Sequence, residues 1–237
     1  MKERVMVQRS VLFQPGLHLT FALAACLVVA LATRAQNRKE ANEAKIVLFD
    51  GSNADQWRAR KGGGACPWKI EDGALVVTKG DIVTREKFAD CTLHLEFWLP
   101  ATPTIDAEQA KANSGVFLQD LFEIQILDSY DRPITLGSCG AIYQQKGADK
   151  NVSTEPETWQ TYDITYRAPR FDKGGNITEK PRITVIHNNE KIHDDIEIER
   201  PTSGKGDAPV PNEPGPIRLQ DHGHAIKFRN IWIAPTK

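Results

Sequence analysis

The sequence predicts an all-β protein in which two antiparallel sheets pack as a sandwich. From Lys45 onward it consists of many short apolar or alternating segments, separated by Gly, Pro, Asn and Asp residues. Turn signals such as Glu71-Asp72-Gly73 and Asn188-Asn189 lie between these segments, as is typical of β-hairpins. No helical segments alternate with the strands, and no internal repeat has the period of a propeller or a solenoid. We therefore expect a single sandwich domain.

The strands are predicted from apolar residues that alternate with polar ones or form short runs. In chain order the predicted strands are Ile46–Phe49, Trp68–Ile70, Ala74–Thr78, Thr92–Leu99, Gly115–Gln119, Phe122–Leu127, Ala141–Tyr143, Trp159–Tyr166, Ile183–His187, Ile192–Ile196, Ile217–Gln220 and Ile226–Ile233. Only Ile105–Ala112 has the pattern of a short helix or loop. Two long polar stretches, Gln144–Glu157 and Arg200–Pro214, are predicted to be loops at the rim of the sandwich.

The beginning of the chain predicts an export signal. Three basic residues among the first nine precede an apolar stretch from about Leu17 to Leu31, and small residues follow it. The stretch is shorter than the roughly 20 residues that a spanning helix needs. Two alternatives stay open, an uncleaved anchor and lipidation at Cys26. We expect residues 1–35 to be a signal peptide cut after Ala35, residues 36–237 to fold, and the mature protein to be periplasmic or extracellular.

The composition narrows the choice of partners and cofactors. Hydrophobic residues make up 40% of the chain, which is enough to bury a core, and the formal net charge is -1. Because there is no basic excess to neutralise a run of phosphates, we expect no nucleic-acid partner. Three cysteines follow the signal peptide, namely Cys66, Cys91 and Cys139. They allow at most one internal disulfide, no pair has zinc-site spacing, and Cys91 is predicted to be a small core residue.

The most informative predicted strand is Phe122–Leu127. Its apolar side chains share one face, which can pack between the sheets, while Glu123 and Gln125 share the other, about 6.8 Å apart at the backbone. The polar face is then expected on an exposed or concave surface. Asp128 is an odd number of residues from Glu123, so it joins this face only if a β-bulge inserts an extra residue.

The spacing of these residues is similar to the Glu-x-Asp-x-x-Glu motif of jelly-roll glucanases. Gln125 stands in place of the middle Asp, and Asp128 in place of the last Glu. Asp is shorter than Glu by one methylene, about 1.5 Å. The two carboxyl groups would therefore lie further apart than in retaining enzymes, where they are separated by about 5–5.5 Å. The altered motif counts against an ordinary endo-glucanase. A solvated polar face of an amphipathic strand is the structural alternative.

A set of short motifs gives the chain a resemblance to the 3-keto-disaccharide hydrolase family, which has a concanavalin A-like jelly-roll fold. The motifs are Leu48-Phe49-Asp50-Gly51 followed by Trp57, Asn113-Ser114-Gly115, Phe122–Asp128, Gly140–Tyr143, Glu157-Thr158-Trp159, Leu219–Gly223 and Phe228–Ile231. The resemblance covers Val47 to Ala234, and the order of the motifs is more specific than any one of them. It implies an exported, glycoside hydrolase-like enzyme that cleaves 3-keto-glycosides or 3-keto-disaccharides.

The resemblance also implies a chemistry. A ketone at C3 of a glucosyl unit acidifies the hydrogen on C2, so that a base can remove it and the group on C1 can leave by elimination. Direct hydrolysis by two carboxyl groups is the other route, and the sequence does not separate the two. Either route needs a general base and a proton donor, roles that Glu123 and Asp128 could fill. His222 is the third catalytic candidate, because a histidine in a polar turn can exchange protons or bind a metal.

Six further residues are candidates for substrate binding. Gln125 can orient a hydroxyl, Asp221 can orient His222, and Tyr143 can stack on a sugar face. The whole set is Asn113, Gln125, Tyr143, Gln220, Asp221 and Arg229. Structural alternatives exist for several of them, such as a turn cap for Asp221, a backbone-bonded turn residue for His222 and a salt bridge for Arg229.

The expected ligand is a small carbohydrate. No dinucleotide-binding or phosphate-loop motif is present in the sequence, so no cofactor is predicted, while a divalent metal is left open. A separate sugar 3-oxidase is expected to supply the ketone. The competing hypothesis is a non-catalytic carbohydrate-binding module, since jelly rolls serve both roles. The Glu123/Asp128 pair counts against it, because a binding module does not need two carboxyl groups.

Overall fold

Strand pairing in the computed structural model produces the predicted sandwich. The structure describes residues 45–102, 108–202 and 209–236, so the predicted export signal and Cys26 lie outside the described residues. The strands are β1 (Ile46–Phe49), β2 (Trp57–Ala59), β3 (Lys69–Glu71), β4 (Ala74–Val76), β5 (Ile82–Thr84), β6 (Cys91–Trp98), β7 (Ser114–Leu118), β8 (Phe122–Ile126), β9 (Trp159–Arg167), β10 (Arg170–Phe171), β11 (Ile177–Glu179), β12 (Arg182–His187), β13 (Glu190–Glu197), β14 (Arg218–Leu219) and β15 (Lys227–Pro235). A 3-10 turn at Glu108–Ala110 lies between β6 and β7.

The strands form two large antiparallel sheets and one small hairpin. The larger sheet has the order β13-β12-β9-β6-β15-β4-β3, and β1 also pairs with β15. The smaller sheet has the order β2-β5-β14-β7-β8, and β10 pairs with β11. This is the all-β, jelly-roll-like sandwich that the sequence predicts. Among the described residues, no helix is long and apolar enough to cross a membrane.

Alternation along the strands builds the core between the sheets. Every second residue of β6 from Cys91 to Phe97 is fully buried, and the residues between them are partly exposed. Ile124 and Ile126 of β8 belong to the same core, as predicted. Phe122 of β8 meets Tyr166 of β9 with the ring centroids 6.0 Å apart. The two sheets therefore contact each other directly behind the strand that carries Glu123.

A core substitution should measure how much this packing contributes. Leu93 is fully buried in the middle of β6, which lies between β9 and β15. Leu93→Ala should lower the free energy of unfolding by about 2–5 kcal/mol, because it removes buried methyl groups and leaves a cavity. The control Val47→Ala, at a side chain that is 53% exposed, should change it by less than about 0.5 kcal/mol. Denaturant unfolding followed by tryptophan fluorescence measures both, and equal losses would contradict this description of the core.

The described cysteines are free thiols. Cys66 is half-buried, whereas Cys91 and Cys139 are buried, and within the described ranges no disulfide joins them. The prediction of Cys91 as a small core residue is thus confirmed. The Cys139 sulfur lies 3.1 Å from the Tyr162 hydroxyl, and burial raises the pKa of this thiol. Cys91 and Cys139 therefore fill space in the core.

The largest differences from the predicted strands are short segments. Every predicted strand is present except Ala141–Tyr143, where Ile142 makes only isolated bridges with Ile124 and Lys146. Turns on both sides of Ile142 prevent a longer ladder, since the Ala141 N–H and the Gln145 N–H both close tight turns. The strands β2, β5, β10 and β11 were not predicted. Each has only two or three residues, too few for an alternating pattern to show.

Candidate active site

The register of the smaller sheet places a row of side chains on the face opposite the core. Directly paired residues of neighbouring strands point to the same face of a sheet. Arg218 of β14 pairs with Phe117 of β7, which pairs with Glu123 of β8. Two residues before Phe117, Gly115 of β7 pairs with Gln125 of β8. We call this surface the polar face; its residues are Arg218, Gln220, Gly115, Phe117, Glu123 and Gln125.

The polar face is buried rather than solvated. Glu123 and Arg218 are each 5% exposed, and Gln125 is 1% exposed. Strand β8 is the edge of the smaller sheet, and neighbouring chain covers it: the Glu123 N–H donates to the Thr202 hydroxyl, and the Tyr143 N–H donates to the Glu123 carbonyl oxygen. The alternative of a solvated amphipathic strand therefore does not describe Glu123 and Gln125.

Burial changes the acidity of the Glu123 carboxyl group. Desolvation raises its pKa from an ordinary value of 4.5 to about 7, Arg218 opposes this increase, and Asp81 adds to it. A carboxyl group with a pKa near neutrality is present in both protonation states at pH 7, so it can accept a proton and return it. This is the property that a general base requires.

Arg218 is fixed by two carboxylates and an aromatic ring. Its Nη1 donates to Asp81 Oδ2 over 3.0 Å, and its Nε lies 2.7 Å from Asp120 Oδ1 without the alignment of a hydrogen bond. The guanidinium carbon lies 3.3 Å from the centroid of the Phe117 ring. Asp120 is shared with Arg60, whose Nε is 3.0 Å away. Because two carboxylates compensate the buried cation, the guanidinium group can remain charged at this buried position.

Apart from Arg218 Nε, which lies next to Asp120, three buried atoms of the polar face have no hydrogen-bond partner within the described part of the chain. They are Arg218 Nη2, Gln125 Oε1 and Gln220 Oε1. Each unsatisfied buried polar atom costs about 1–3 kcal/mol, and native proteins leave few of them. This face therefore has one donor and two acceptors whose hydrogen-bonding capacity the described residues do not use.

A chain of hydrogen bonds joins the polar face to residues beyond its end. Gln125 Nε2 donates to Gln109 Oε1 over 3.2 Å, and Asn113 Nδ2 donates to the Gln109 carbonyl oxygen over 2.7 Å. The Asn113 N–H donates to His224 Nδ1 over 3.3 Å. Asn113 and Gln125 are thus linked through Gln109. The histidine of this network is His224, whereas His222 is exposed in the turn.

Asp128 and Arg229 lie away from the polar face. The register between β7 and β8 contains no bulge and the strand ends at Ile126, so Asp128 does not align with Glu123. One Asp128 oxygen accepts a hydrogen bond from the Tyr130 N–H. Arg229 belongs to the larger sheet, where its Nε donates to Glu96 and its guanidinium covers the Trp159 ring. Their described contacts are those of a turn cap and a surface salt bridge.

Asp221 connects the polar face to a surface pocket. Its N–H donates to Asp81 Oδ1 over 3.0 Å, and its carboxylate accepts from the Gly80 N–H. The pocket has a volume of about 590 Å³, and Arg60, Lys79, Asp81 and Asp221 contribute to its wall. Because Asp81 also holds Arg218, the pocket opens beside the Arg218 end of the polar face.

The polar face contains oxygen atoms of the types that can bind a metal ion. Within the residues that the structure describes, no group of three or more His, Cys, Asp or Glu side chains is arranged to hold a metal ion. Glu123 contributes a carboxylate, and Gln125 and Gln220 contribute amide oxygens. Carboxylate and amide oxygens are ligand types that Ca²⁺ and Mg²⁺ accept.

The sequence patterns did not single out Arg218, Asp81 and Asp120. A signal for Arg218 was present: it precedes Gln220 by two residues, so strand alternation alone places both side chains on one face. The two aspartates lie outside the long alternating strands. Their roles become visible only when the folded chain brings them to the guanidinium group.

Comparisons with known proteins agree with the sandwich fold and identify the family of the chain. The sequence matches the 3-keto-alpha-glucoside-1,2-lyase-like domain over residues 44–234. A candidate glycosyl hydrolase from Parabacteroides distasonis ATCC 8503 aligns with a TM-score of 0.75 and 39% identity, over 81% of this chain and 84% of that chain. A second candidate glycosyl hydrolase from that organism aligns with a TM-score of 0.61 and 20% identity, over 84% of this chain and 97% of that chain. A third aligns with a TM-score of 0.56 and 25% identity, over 81% of this chain and 99% of that chain. At 20% identity, the second structure is evidence of a shared fold alone. A comparison with curated proteins finds no match. Because the matched domain spans most of its length, this chain belongs to the 3-keto-disaccharide hydrolase family, whose domain is described as 3-keto-alpha-glucoside-1,2-lyase-like.

Proposed function

We propose that this protein is a carbohydrate-active enzyme that cleaves 3-keto-glycosides by elimination, with Glu123 as the base. The observation that carries the proposal is the buried Glu123 carboxyl group, whose pKa is about 7 and which faces the same surface as Arg218. The family to which the chain belongs, described by a 1,2-lyase activity on 3-keto-α-glucosides, supports the same chemistry.

The reaction follows from the acidity of the hydrogen next to a ketone. The Glu123 carboxylate removes the proton on C2, and the electron pair of the C2–H bond forms an enolate with the C3 carbonyl group. When the carbonyl re-forms, a double bond forms between C1 and C2, and the bond from C1 to the glycosidic oxygen breaks. The departing oxygen takes a proton from water, and water can later add to the enone. One base is sufficient for the first step.

Hydrolysis by two carboxyl groups is less well supported by this site. It needs a second carboxyl group about 5–9.5 Å from the first, free to act as acid or nucleophile. Asp128 lies outside the polar face, and Asp81 and Asp120 both hold Arg218. An elimination that needs one carboxylate and one fixed cation therefore fits the residues better.

The remaining residues are assigned to substrate binding, and another enzyme is expected to supply the oxidised sugar. Gln125 and Gln220 have unpartnered amide oxygens that can accept hydrogen bonds from sugar hydroxyls. Asn113 and Tyr143 support Gln125 and β8, and His222 is a candidate for proton exchange with solvent. The proposal requires no cofactor, and a separate sugar 3-oxidase would produce the ketone.

A comparison of two substrates tests the proposed function. Purified protein is incubated with a 3-keto-glucoside and with the unoxidised glucoside, with and without EDTA, and products are identified by mass spectrometry. We expect turnover of the ketone only, with formation of an enone or its hydrated product. Cleavage of the unoxidised parent would indicate an ordinary glucosidase. Binding of both sugars with no turnover, even after Mg²⁺ or Ca²⁺ is added, would indicate a carbohydrate-binding module.

The pH dependence should report the ionisation of Glu123. A general base must be deprotonated, and the pKa of Glu123 is raised to about 7. We therefore expect kcat/KM on a 3-keto-glycoside to be low at pH 5, to rise with an apparent pKa near 7, and to level off above pH 8. A steady-state pH profile measures this, and a limb near pH 4.5 would mean that another carboxyl group is the base.

Export is proposed from the sequence of residues 1–35. Expression of the whole chain in a bacterial host should place the protein outside the cytoplasm, whereas a chain beginning at Gln36 should stay inside. Fractionation locates the two forms, and the intact mass of the exported form shows whether the cut follows Ala35. An uncut or lipid-bearing product would favour one of the two alternatives, an anchor or lipidation at Cys26.

A further inference from the structure

Arg218 and Glu123 lie on opposite sides of one residue of the polar face. Phe117 separates them in the row of paired residues, so their backbones are about 10 Å apart, twice the spacing of neighbouring strands. The positive charge of Arg218 acts on Glu123 and opposes the increase in its pKa. A small ligand bound over this part of the sheet would therefore meet the base and the cation together.

The contacts of the guanidinium group leave one nitrogen for a ligand. Nη1 is bonded to Asp81, and Nε is next to Asp120, while the Phe117 ring covers the flat side of the group. Among the residues that the structure describes, Nη2 has no partner. Because three neighbours already fix the group, Nη2 keeps its position when charge develops near it, which is the condition for effective electrostatic stabilisation.

The other two unpartnered atoms have the opposite hydrogen-bonding character. Gln125 Oε1 and Gln220 Oε1 only accept hydrogen bonds, so they can pair with sugar hydroxyls. A ketone oxygen has no hydrogen to donate and needs a donor. Of the three unpartnered atoms, Arg218 Nη2 is the one that can supply it.

We propose that Arg218 Nη2 binds the C3 ketone oxygen of the substrate and stabilises the negative charge that forms there when Glu123 removes the C2 proton. The proposal rests on the proposed function and adds a residue that selects the oxidised sugar. As the C2–H bond breaks, its electron pair forms the C2–C3 double bond, and the carbonyl pair moves onto the oxygen that faces Nη2. Arg218 stays protonated throughout, and the proton resides on Glu123.

Substitution of Arg218 tests this role. Arg218→Gln should lower kcat on a 3-keto-glycoside by about 10²–10³-fold, the usual loss when a donor to a developing oxyanion is removed. Arg218→Lys keeps the positive charge but not the planar guanidinium group, and it should lower kcat less than Arg218→Gln does. The control is Arg170→Gln, which breaks an ion pair with Asp90 away from the polar face and should keep the wild-type kcat.

Two readouts separate this role from a structural one. The first is exchange of the C2 hydrogen with D2O in 1,5-anhydro-3-keto-glucitol, which has no glycosidic leaving group on C1; Arg218→Gln should slow this exchange as much as it slows kcat. The second is the pH profile, whose acid limb should move to higher pH because Arg218 no longer lowers the pKa of Glu123. A variant that folds normally, yet keeps the wild-type exchange rate and limb, would overturn the proposal while the proposed function stands.

A measurement on the wild-type protein decides the matter if both Arg218 variants fail to fold. The 13C resonance of the ketone carbon in the bound anhydro sugar should move downfield, because a cationic donor polarises the carbonyl bond. An unchanged resonance in a saturated complex would overturn the role of Arg218. If the wild-type protein neither exchanges the C2 hydrogen nor cleaves a 3-keto-glycoside, the proposed function itself fails.

Discussion

Glu123→Gln is expected to lower kcat on a 3-keto-glycoside by about 10²–10⁴-fold, the usual contribution of a general base. The substitution keeps the volume and most hydrogen-bonding capacity of the side chain but removes the group that takes the C2 proton. Exchange of the C2 hydrogen with solvent should fall by the same factor, because it depends on the same proton transfer. Both rates are measured on purified protein, by product formation and by NMR.

The stability of the same variant provides an internal control. The pKa of Glu123 is about 7 in the folded protein and near 4.5 in an ordinary environment. A raised carboxyl pKa means that the contribution of Glu123 to stability is fully present below about pH 4.5 and is lost as the pH rises through 7; the difference is about 3 kcal/mol. Glu123→Gln should therefore match the wild type near pH 4 and be more stable at pH 8, by denaturant unfolding.

A matched carboxyl group elsewhere completes the comparison. Glu190 begins β13 and pairs on the surface with Lys150, at a side-chain exposure of 53%. Glu190→Gln should leave both kcat and the pH dependence of stability unchanged, since an exposed ion pair contributes little. If Glu123→Gln also kept the wild-type kcat and C2 exchange rate, Glu123 could not be the base.

The fold was predictable because its long strands carry their own pattern. Strand β8 shows this clearly: the alternation of apolar residues with Glu123 and Gln125 correctly predicts which side chains enter the core. Strand β5 shows the limit. With three residues it carries too little pattern to be found, and its central place in the smaller sheet depends on pairing with β2 and β14.

The site was predictable only where local alternation decides it. Placing Glu123 and Gln125 on one face needs nothing more than the period of a strand. The burial of that face depends on the chain around Thr202 and Tyr143, which is distant in sequence, so an open or concave surface was the natural expectation. Asp128 could join this face only if a β-bulge shifted the register, and the register between β7 and β8 is unbroken.

Gly115 explains how a buried carboxyl group fits against the sheet, and it gives the second large expected effect. Gly115 is the direct partner of Gln125 in β7. A Cβ atom at this position would lie 2.5 Å from Glu123 Oε1 and 3.1 Å from a carbon of the Phe117 ring. The first distance is too short for non-bonded atoms and the second is tight, so an added methyl group must displace the Glu123 carboxylate. The absence of a side chain at Gly115 therefore sets where the base lies.

Gly115→Ala is expected to lower kcat by about 100-fold, because a displacement of about 1 Å at a catalytic group typically costs that much. The control is Gly64→Ala, since a Cβ at Gly64 meets nothing within 4 Å; it should keep the wild-type kcat. The double variant Gly115→Ala/Glu123→Gln should be no slower than Glu123→Gln alone, because both changes act on one carboxylate. Losses that multiply in the double variant would show that Gly115 acts through another group. A folded Gly115→Ala protein with the wild-type kcat would show that the carboxylate works from a position that the methyl group does not reach.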